Sequence, residues 1–281
     1  MLGLYIALGV LCFLALVFFL WLFLIAAKRN QEIDRYVGVK FAHRGLHGDF
    51  LGSFSAENSL SAFKKAAELG FGIELDVRLS KDGEVVVFHD NTLDRVTNKT
   101  GKVIDYTAKE LSEMSLVKTE EGVPTFREVL DAVGGRVPLL VEIKEEGFDH
   151  SVVKETVKLL EGYTGDFIIE SFNPLSLGEV KKLMPKVPRG FLCDRLTKNP
   201  ETRSIKYRLI QRHLLNFIAR PAFIASSKDE GRMFPIPLIR KLSKPAFFAW
   251  TIRSEEEEEQ AYADGFDSVI FENYIPKSVK R

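Results

Sequence analysis

The chain has 281 residues, 46% of them hydrophobic and 28% charged, with 39 basic and 39 acidic side chains in balance. That is ordinary globular composition, and balanced charge leaves no electrostatic footprint for nucleic acid. Two cysteines, Cys12 and Cys193, are too few for a disulfide framework. The first predicted element is Leu2 to Ala27, which contains no charged side chain. As an α-helix at about 1.5 Å per residue it spans roughly 39 Å, enough to cross a hydrocarbon core of about 30 Å with tilt. A signal peptide would open with a basic n-region and close on small residues, whereas Trp21 and Phe23 occupy that end. Residues 1–29 are therefore predicted to be an uncleaved single-pass anchor in a lipid bilayer. Lys28 and Arg29 follow the apolar run and no Lys or Arg precedes it, so the positive-inside rule puts the following domain in the cytoplasm.

Residues 30–38 read as a short polar linker and 39–281 as one domain, close to the typical size of an eight-stranded barrel. Strands are predicted at 39–42, 72–77, 138–144, 167–172, 189–194, 222–227, 246–252 and 268–272. Helices are predicted between them at 58–69, 126–133, 150–160, 175–183, 202–218, 237–242 and 255–263. This alternation is the pattern of a parallel α/β sheet or barrel. Lys81-Asp82-Gly83-Glu84 is a turn signal between two extended arms, and so short a gap makes a hairpin rather than a parallel crossover. Residues 91–124 form a small insertion after that hairpin, with one short helix at 108–114. Thr125 and Glu128 have capping-box spacing at the head of the next helix. The run Glu255–Glu259 is the acidic opening of a helix after Ser254, where the dipole favours carboxylates. Residues 206–220 make an amphipathic basic segment, read as an outer barrel helix, with contact to an anionic bilayer as the other reading.

Chemistry concentrates near strand ends. Glu74 and Asp76 stand two apart on one face of a strand, and the hairpin brings His89 back beside Asp76. Glu142 and Lys144 share a face at the end of a later apolar run. Buried acids are costly without a cation or hydrogen bonds, so Glu74, Asp76 and Glu142 are predicted to hold a metal. The alternative is a structural ion-pair network with Arg44, Lys144 or Arg78. Oxygen-only donors favour Mg2+ or Ca2+ over zinc. His43 and His89, each at a strand end beside charged residues, are candidates for proton transfer. Arg44 and Lys144 suit the non-bridging oxygens of a phosphate. His47, His150 and His213 lack such a setting. Phosphodiester hydrolysis uses each of these parts.

The ordered set His43-Arg44-Gly45, Glu57-Asn58-Ser59, Glu74-Leu75-Asp76-Val77, Val87-Phe88-His89-Asp90, Thr92-Leu93-Asp94-Arg95, Pro124-Thr125, Glu142-Ile143-Lys144, Ser171-Phe172 and Trp250-Thr251 resembles the glycerophosphodiester phosphodiesterases. The resemblance runs from about residue 39 to the C-terminus. It implies a TIM-barrel-like (β/α)8 fold and metal-dependent cleavage of a glycerophosphodiester into glycerol 3-phosphate and an alcohol, with one divalent cation on Glu74, Asp76 and Glu142. Glu57 matches a family position near the metal and glycerol; its plainer reading is a carboxylate at a helix N-terminus. Phe172 and Trp250 end strands and offer an apolar wall for the glycerol or alcohol, although Phe172 suits a core as well. Ala56 stands where the family usually has proline, and Arg253 where many members have asparagine. A lysophospholipid, which still carries an acyl chain, is the alternative substrate, made plausible by the anchor. A non-catalytic barrel that binds headgroups is the remaining alternative.

Overall fold

The computed structural model describes residues 1–145, 149–194 and 205–280. Helix α1 (Leu2–Ile25) is long and apolar enough to span a bilayer, a test that a signal sequence also passes. It is followed by a 3-10 helix at Gln31–Tyr36. Strand β1 (Lys40–Ala42) leads to a small antiparallel pair, β2 (Gly48–Phe50) and β3 (Ser53–Ser55), and then to α2 (Leu60–Glu68). Next come β4 (Gly72–Leu79), β5 (Val85–Val87), α3 (Ala108–Ser112) and α4 (Phe126–Val133). The alternation continues with β6 (Leu139–Ile143), α5 (Ser151–Glu161), β7 (Phe167–Ser171), α6 (Pro174–Leu183) and β8 (Arg189–Cys193). After α7 (Ile205–Gln211) and α8 (Asn216–Ala219), the chain ends through β9 (Phe223–Ser226), α9 (Ile236–Ser243), β10 (Ala246–Ile252), α10 (Glu255–Ala263) and β11 (Ser268–Phe271).

The main sheet runs β1-β11-β10-β9-β8-β7-β6-β4-β5, and β1 also pairs with β4. Its parallel strands therefore close into an eight-stranded barrel, with β5 added antiparallel on β4 as the hairpin partner. The turn forms because Ser80 Oγ accepts from Glu84 N at 3.0 Å and Gly83 takes φ +81°, where a side chain would be strained. The barrel is filled, not hollow. Phe41, Leu140, Ile168, Leu192, Phe223, Phe248 and Ile270 form its interior cluster, and the Phe223 and Phe248 rings stack at 4.6 Å. Gly190 is the small partner in that layer, since a Cβ there would lie 2.0 Å from the Phe223 ring. The outer core packs α-helical apolar faces against the other side of the strands.

The residues read as a polar linker behave differently. Ile33 and Tyr36 of the 3-10 helix are fully buried and join the interior cluster. Tyr36 Oη donates to Phe167 O at 3.0 Å, so this segment closes the N-terminal mouth of the barrel. The helix predicted at 202–218 also differs. Residues 202–204 lie outside the described residues, and the rest divides into α7 and α8 around His213, which sits at φ +57°. Thr125 and Glu128 make the expected capping box. The insertion 91–124 has its own small core, with Leu93, Val96, Leu111 and Met114 packed on Val86 and Phe88.

Candidate active site

Strand alternation explains why acids gather inside the barrel. On β6 and β7 an inward apolar residue, Leu140 or Ile168, is followed by an inward carboxylate, Glu142 or Glu170, and on β4 Glu74 and Asp76 share the inward face. Register pairs Asp76 with Glu142 and Glu142 with Glu170. Glu74, Asp76 and Glu142 are buried, and one carboxylate oxygen from each lies within 4.8 Å of the others. Lys144 Nζ sits 2.7 Å from Glu142 and 3.1 Å from Asp76. Arg44 takes φ +55° at the end of β1, and its backbone N–H donates to Glu74 at 2.8 Å. Asn58, at φ +56°, donates its amide to Asp76 at 2.8 Å instead of entering α2, which starts after its Ser59 cap.

These charges do not balance by themselves. Burial, then Asp76 and Glu142, push the Glu74 carboxyl well above its usual range. Burial likewise raises Glu142 to about 7, against the pull of Lys144. For Asp76 burial is outweighed by Lys144, His89, Arg44 and Asn58, which hold it well below the ordinary value. Glu142 Oε1 has no hydrogen-bond partner among the described residues. A buried, oxygen-only cluster with surplus acid fits a hard divalent cation, which takes carboxylate oxygens and favours their ionised forms.

The two histidines flank the same cavity, of about 320 Å3, together with Arg44, Lys144, Phe172 and Trp250. His43 Nδ1 lies 2.6 Å from Glu272 Oε2, and its Nε2 is 4.0 Å from Glu74. His89 Nδ1 lies 2.6 Å from Asp90. Each ring is thus held at Nδ1 by a carboxylate. Burial lowers the His43 pKa, partly offset by Glu272. Burial also lowers His89 to about 4, and Lys144 and Arg44 act with it against the attraction of Asp76. A neighbouring Asp76 therefore does not by itself keep His89 protonated. Phe172 and Trp250 meet edge to face at 6.0 Å on the cavity wall.

Glu57 is not a bare helix-end carboxylate. It is clamped by Arg44 at 2.8 Å and by Arg95 at 2.7 Å, and Arg95 also reaches Asp90 at 2.6 Å. Sequence reasoning missed Glu272, which binds His43 and also accepts from Arg253 Nε at 2.8 Å. It also missed Glu170, whose carboxyl is fully buried beside Glu142 and raised well above its usual range by burial, then by Glu142 and Glu74. Both were legible as acids at the C-terminal ends of predicted strands, the same signal that singled out Glu142. His47, set aside from the sequence, lies 3.9 Å from Glu272. The group His43, His47 and Glu272 also has donor atoms within 4.8 Å, but a 2.6 Å hydrogen bond already occupies His43 Nδ1 and Glu272.

Comparison with known proteins agrees with this geometry. Residues 43–274 match the glycerophosphoryl diester phosphodiesterase family. A glycerophosphodiester phosphodiesterase of Caldanaerobacter subterraneus subsp. tengcongensis is 33% identical over 226 residues, covering 76% of this chain and 87% of that protein. The crystal structure of a Thermotoga maritima glycerophosphodiester phosphodiesterase aligns with TM-score 0.62 at 28% identity, over 83% of this chain and 93% of that one. An Oleispira antarctica phosphodiesterase, solved with the product sn-glycerol-3-phosphate, has the same fold, with TM-score 0.70 at 24% identity over 86% and 95% of the two chains. Barrel, motif order and relatives agree: the chain belongs to the glycerophosphoryl diester phosphodiesterase family and is an enzyme of that class.

Proposed function

We propose that the protein hydrolyses glycerophosphodiesters to glycerol 3-phosphate and an alcohol with one divalent cation, Mg2+ or Ca2+, held by Glu74, Asp76 and Glu142. The observation that carries this reading is a single cavity lined by Glu74 and Glu142, two members of a buried three-carboxylate cluster, and by two imidazoles, each backed by its own carboxylate. When bound, the cation supplies charge that stabilises a phosphoryl group at attack. The remaining steps belong to the side chains. Arg44 and Lys144 hold the non-bridging oxygens and stabilise the pentavalent transition state. With Glu272 and Asp90 accepting from Nδ1, each Nε2 is left to exchange a proton with substrate. His43 takes the proton of the attacking oxygen. His89 is neutral in the free protein because burial lowers its pKa to about 4. It takes up a proton when the phosphodiester anion binds beside it and delivers that proton to the departing alkoxide, whose own pKa is far above neutrality. Phe172 and Trp250 form the apolar wall beside the glycerol or alcohol, and Glu57 fixes Arg44 in place through its ion pair.

The same reading places the reaction at a membrane. Residues 1–29 act as the anchor, and Lys28 with Arg29 keep the catalytic domain on the cytoplasmic side. The test uses the full chain in detergent, stripped by chelation and re-supplied with Mg2+ or Ca2+. Glycerol 3-phosphate should form from glycerophosphocholine only when the metal returns. Glu74→Gln, Asp76→Asn and Glu142→Gln should each lower turnover about a hundredfold or more and weaken cation binding in calorimetry. Near-normal turnover after exhaustive chelation would remove the metal from the mechanism.

A further inference from the structure

A second cavity, of about 590 Å3, includes none of Glu74, Asp76 and Glu142; Arg208, Gln211, Arg212, Met233, Phe234 and the buried Glu230 are among the residues that line it. Helix α7 serves two environments. Tyr207 and Ile210 turn toward the catalytic mouth, where they share a cavity with Lys144 and Phe172. Ile205, Arg208 and Leu209 share one stripe of α7, Arg212 continues it in the turn just past the helix, where its N–H donates to Arg208 O at 3.1 Å, and all four are exposed. Ile205 is 78% exposed and Leu209 38%. Met233 and Phe234, which also line the second cavity, are 43% and 59% exposed.

Phe234 is also where the apolar N-terminal helix meets the barrel. Its ring stacks on Trp21 at 5.5 Å with an interplanar angle of 15°. Below that contact, Asn216 Nδ2 donates to Ile25 O at 2.9 Å, Arg220 donates to Phe23 O at 2.9 Å, and Lys28 N donates to Pro221 O at 2.9 Å. The end of α1 is therefore fixed to the barrel, and its direction sets which barrel face meets the lipid.

We infer that the α7 stripe and Met233–Phe234 form a surface that seats on an anionic bilayer and opens the catalytic mouth at the headgroups, so that single-chain lysophospholipids enter from the membrane. The inference rests on the proposed reading of α1 as a membrane anchor and of the barrel as a diesterase. Continuity carries it first. A Trp at the end of a spanning helix belongs at the interface, and Phe234, stacked on it, shares that level. Charge carries it next. Arg208 and Arg212 interleave with apolar side chains on this surface, and the cytoplasmic leaflet is the anionic one. Apolar tips beside cations are costly in water and seat well in the headgroup region. Helix α7 then couples lipid to chemistry, since its inner face lines the mouth of the site.

The test uses the full chain, one copy per nanodisc of phosphatidylcholine with phosphatidylserine. Two substrates are compared: lysophosphatidylcholine embedded in the disc and soluble glycerophosphocholine. The double variants Ile205→Asp/Leu209→Asp and Arg208→Glu/Arg212→Glu should each lower kcat/KM for the embedded substrate about tenfold and leave the soluble one unchanged. In the unaltered protein, amides of residues 205–212 should exchange more slowly in discs than in detergent. Unchanged embedded turnover in both variants, or unchanged exchange, would overturn the seating. Loss that appears only where chains are crowded, and not in single-copy discs, would give the surface to a second copy and overturn it as well. Cleavage of the soluble substrate but never the embedded one would overturn the substrate class. Failure of the unaltered protein on the soluble substrate would instead strike the diesterase reading itself.

Discussion

Glu272 is ionised well into the acid range, because hydrogen bonding and charge from His43, with Arg253, outweigh its burial and lower its pKa to about 2. An ionised carboxylate can only accept, so His43 must donate from Nδ1 and carry its lone pair on Nε2. Glu272→Gln offers an amide that can donate to Nδ1 and reverse the tautomer. The expected outcome is a fall in kcat of about 10²- to 10⁴-fold with KM little changed. Glu272→Asp should recover part of the loss. A rise in KM with kcat intact would show that Glu272 binds substrate and does not orient the ring. Asp90 holds the corresponding place behind His89, and Arg95 ties it to Glu57, so the carboxylates behind the two imidazoles differ in their own supports. Glu272 reaches His43 from 229 positions away, whereas Asp90 is the residue next to His89.

At the scale of elements, the break between α7 and α8 contains a second consequence. His213 is fully buried against Phe191, with ring centroids 5.3 Å apart, and burial lowers its pKa to about 4. The unfolded chain protonates the same ring near 6.5. The folded form resists a proton that the unfolded form accepts, so stability is complete above pH 6.5 and is lost as pH falls toward 4. Each unit in that window costs about 1.4 kcal/mol, or about 2 kcal/mol by pH 5. His213→Gln should flatten the difference in urea midpoint between pH 7 and pH 5 relative to the parent, measured in detergent. Equal pH dependence in both proteins would mean that carboxylates elsewhere set the slope. Helix 202–218 was predicted as continuous because its apolar spacing holds on both sides of this residue. The break comes from the left-handed backbone at His213, and no periodicity reports that.

For the molecule as a whole, the N-terminal segment joins the barrel instead of dangling from it. Ile25 and Ala27 are buried, Ile33 and Tyr36 close the barrel floor, and a short polar linker is not what residues 31–36 form. The proposed orientation has a direct check. A reporter fused after Arg281 should behave as cytoplasmic, and protease added outside intact cells should spare the domain while digesting it in opened cells. Cleavage of the barrel in intact cells would reverse the topology drawn from Lys28 and Arg29.

The amino-acid sequence by itself determined the barrel, the hairpin and the acids placed at the ends of its strands. Those features rest on local regularities: alternation along strands, turn chemistry at Lys81–Glu84, and acids placed where a core would be apolar. Glu74, Asp76 and Glu142 were legible for that reason, and the fold brings one carboxylate oxygen of each within 4.8 Å of the others. Tertiary structure alone decided which groups face one another. Glu272 is 229 positions from His43, and Glu170 meets Glu142 only through the register of β6 with β7. It also decided that Ile33 and Tyr36 are core, because burial depends on the closed barrel above them and not on their polar neighbours in the chain. Barrel closure brings distant strand ends to one rim, and a linear pattern holds no record of which ends become neighbours.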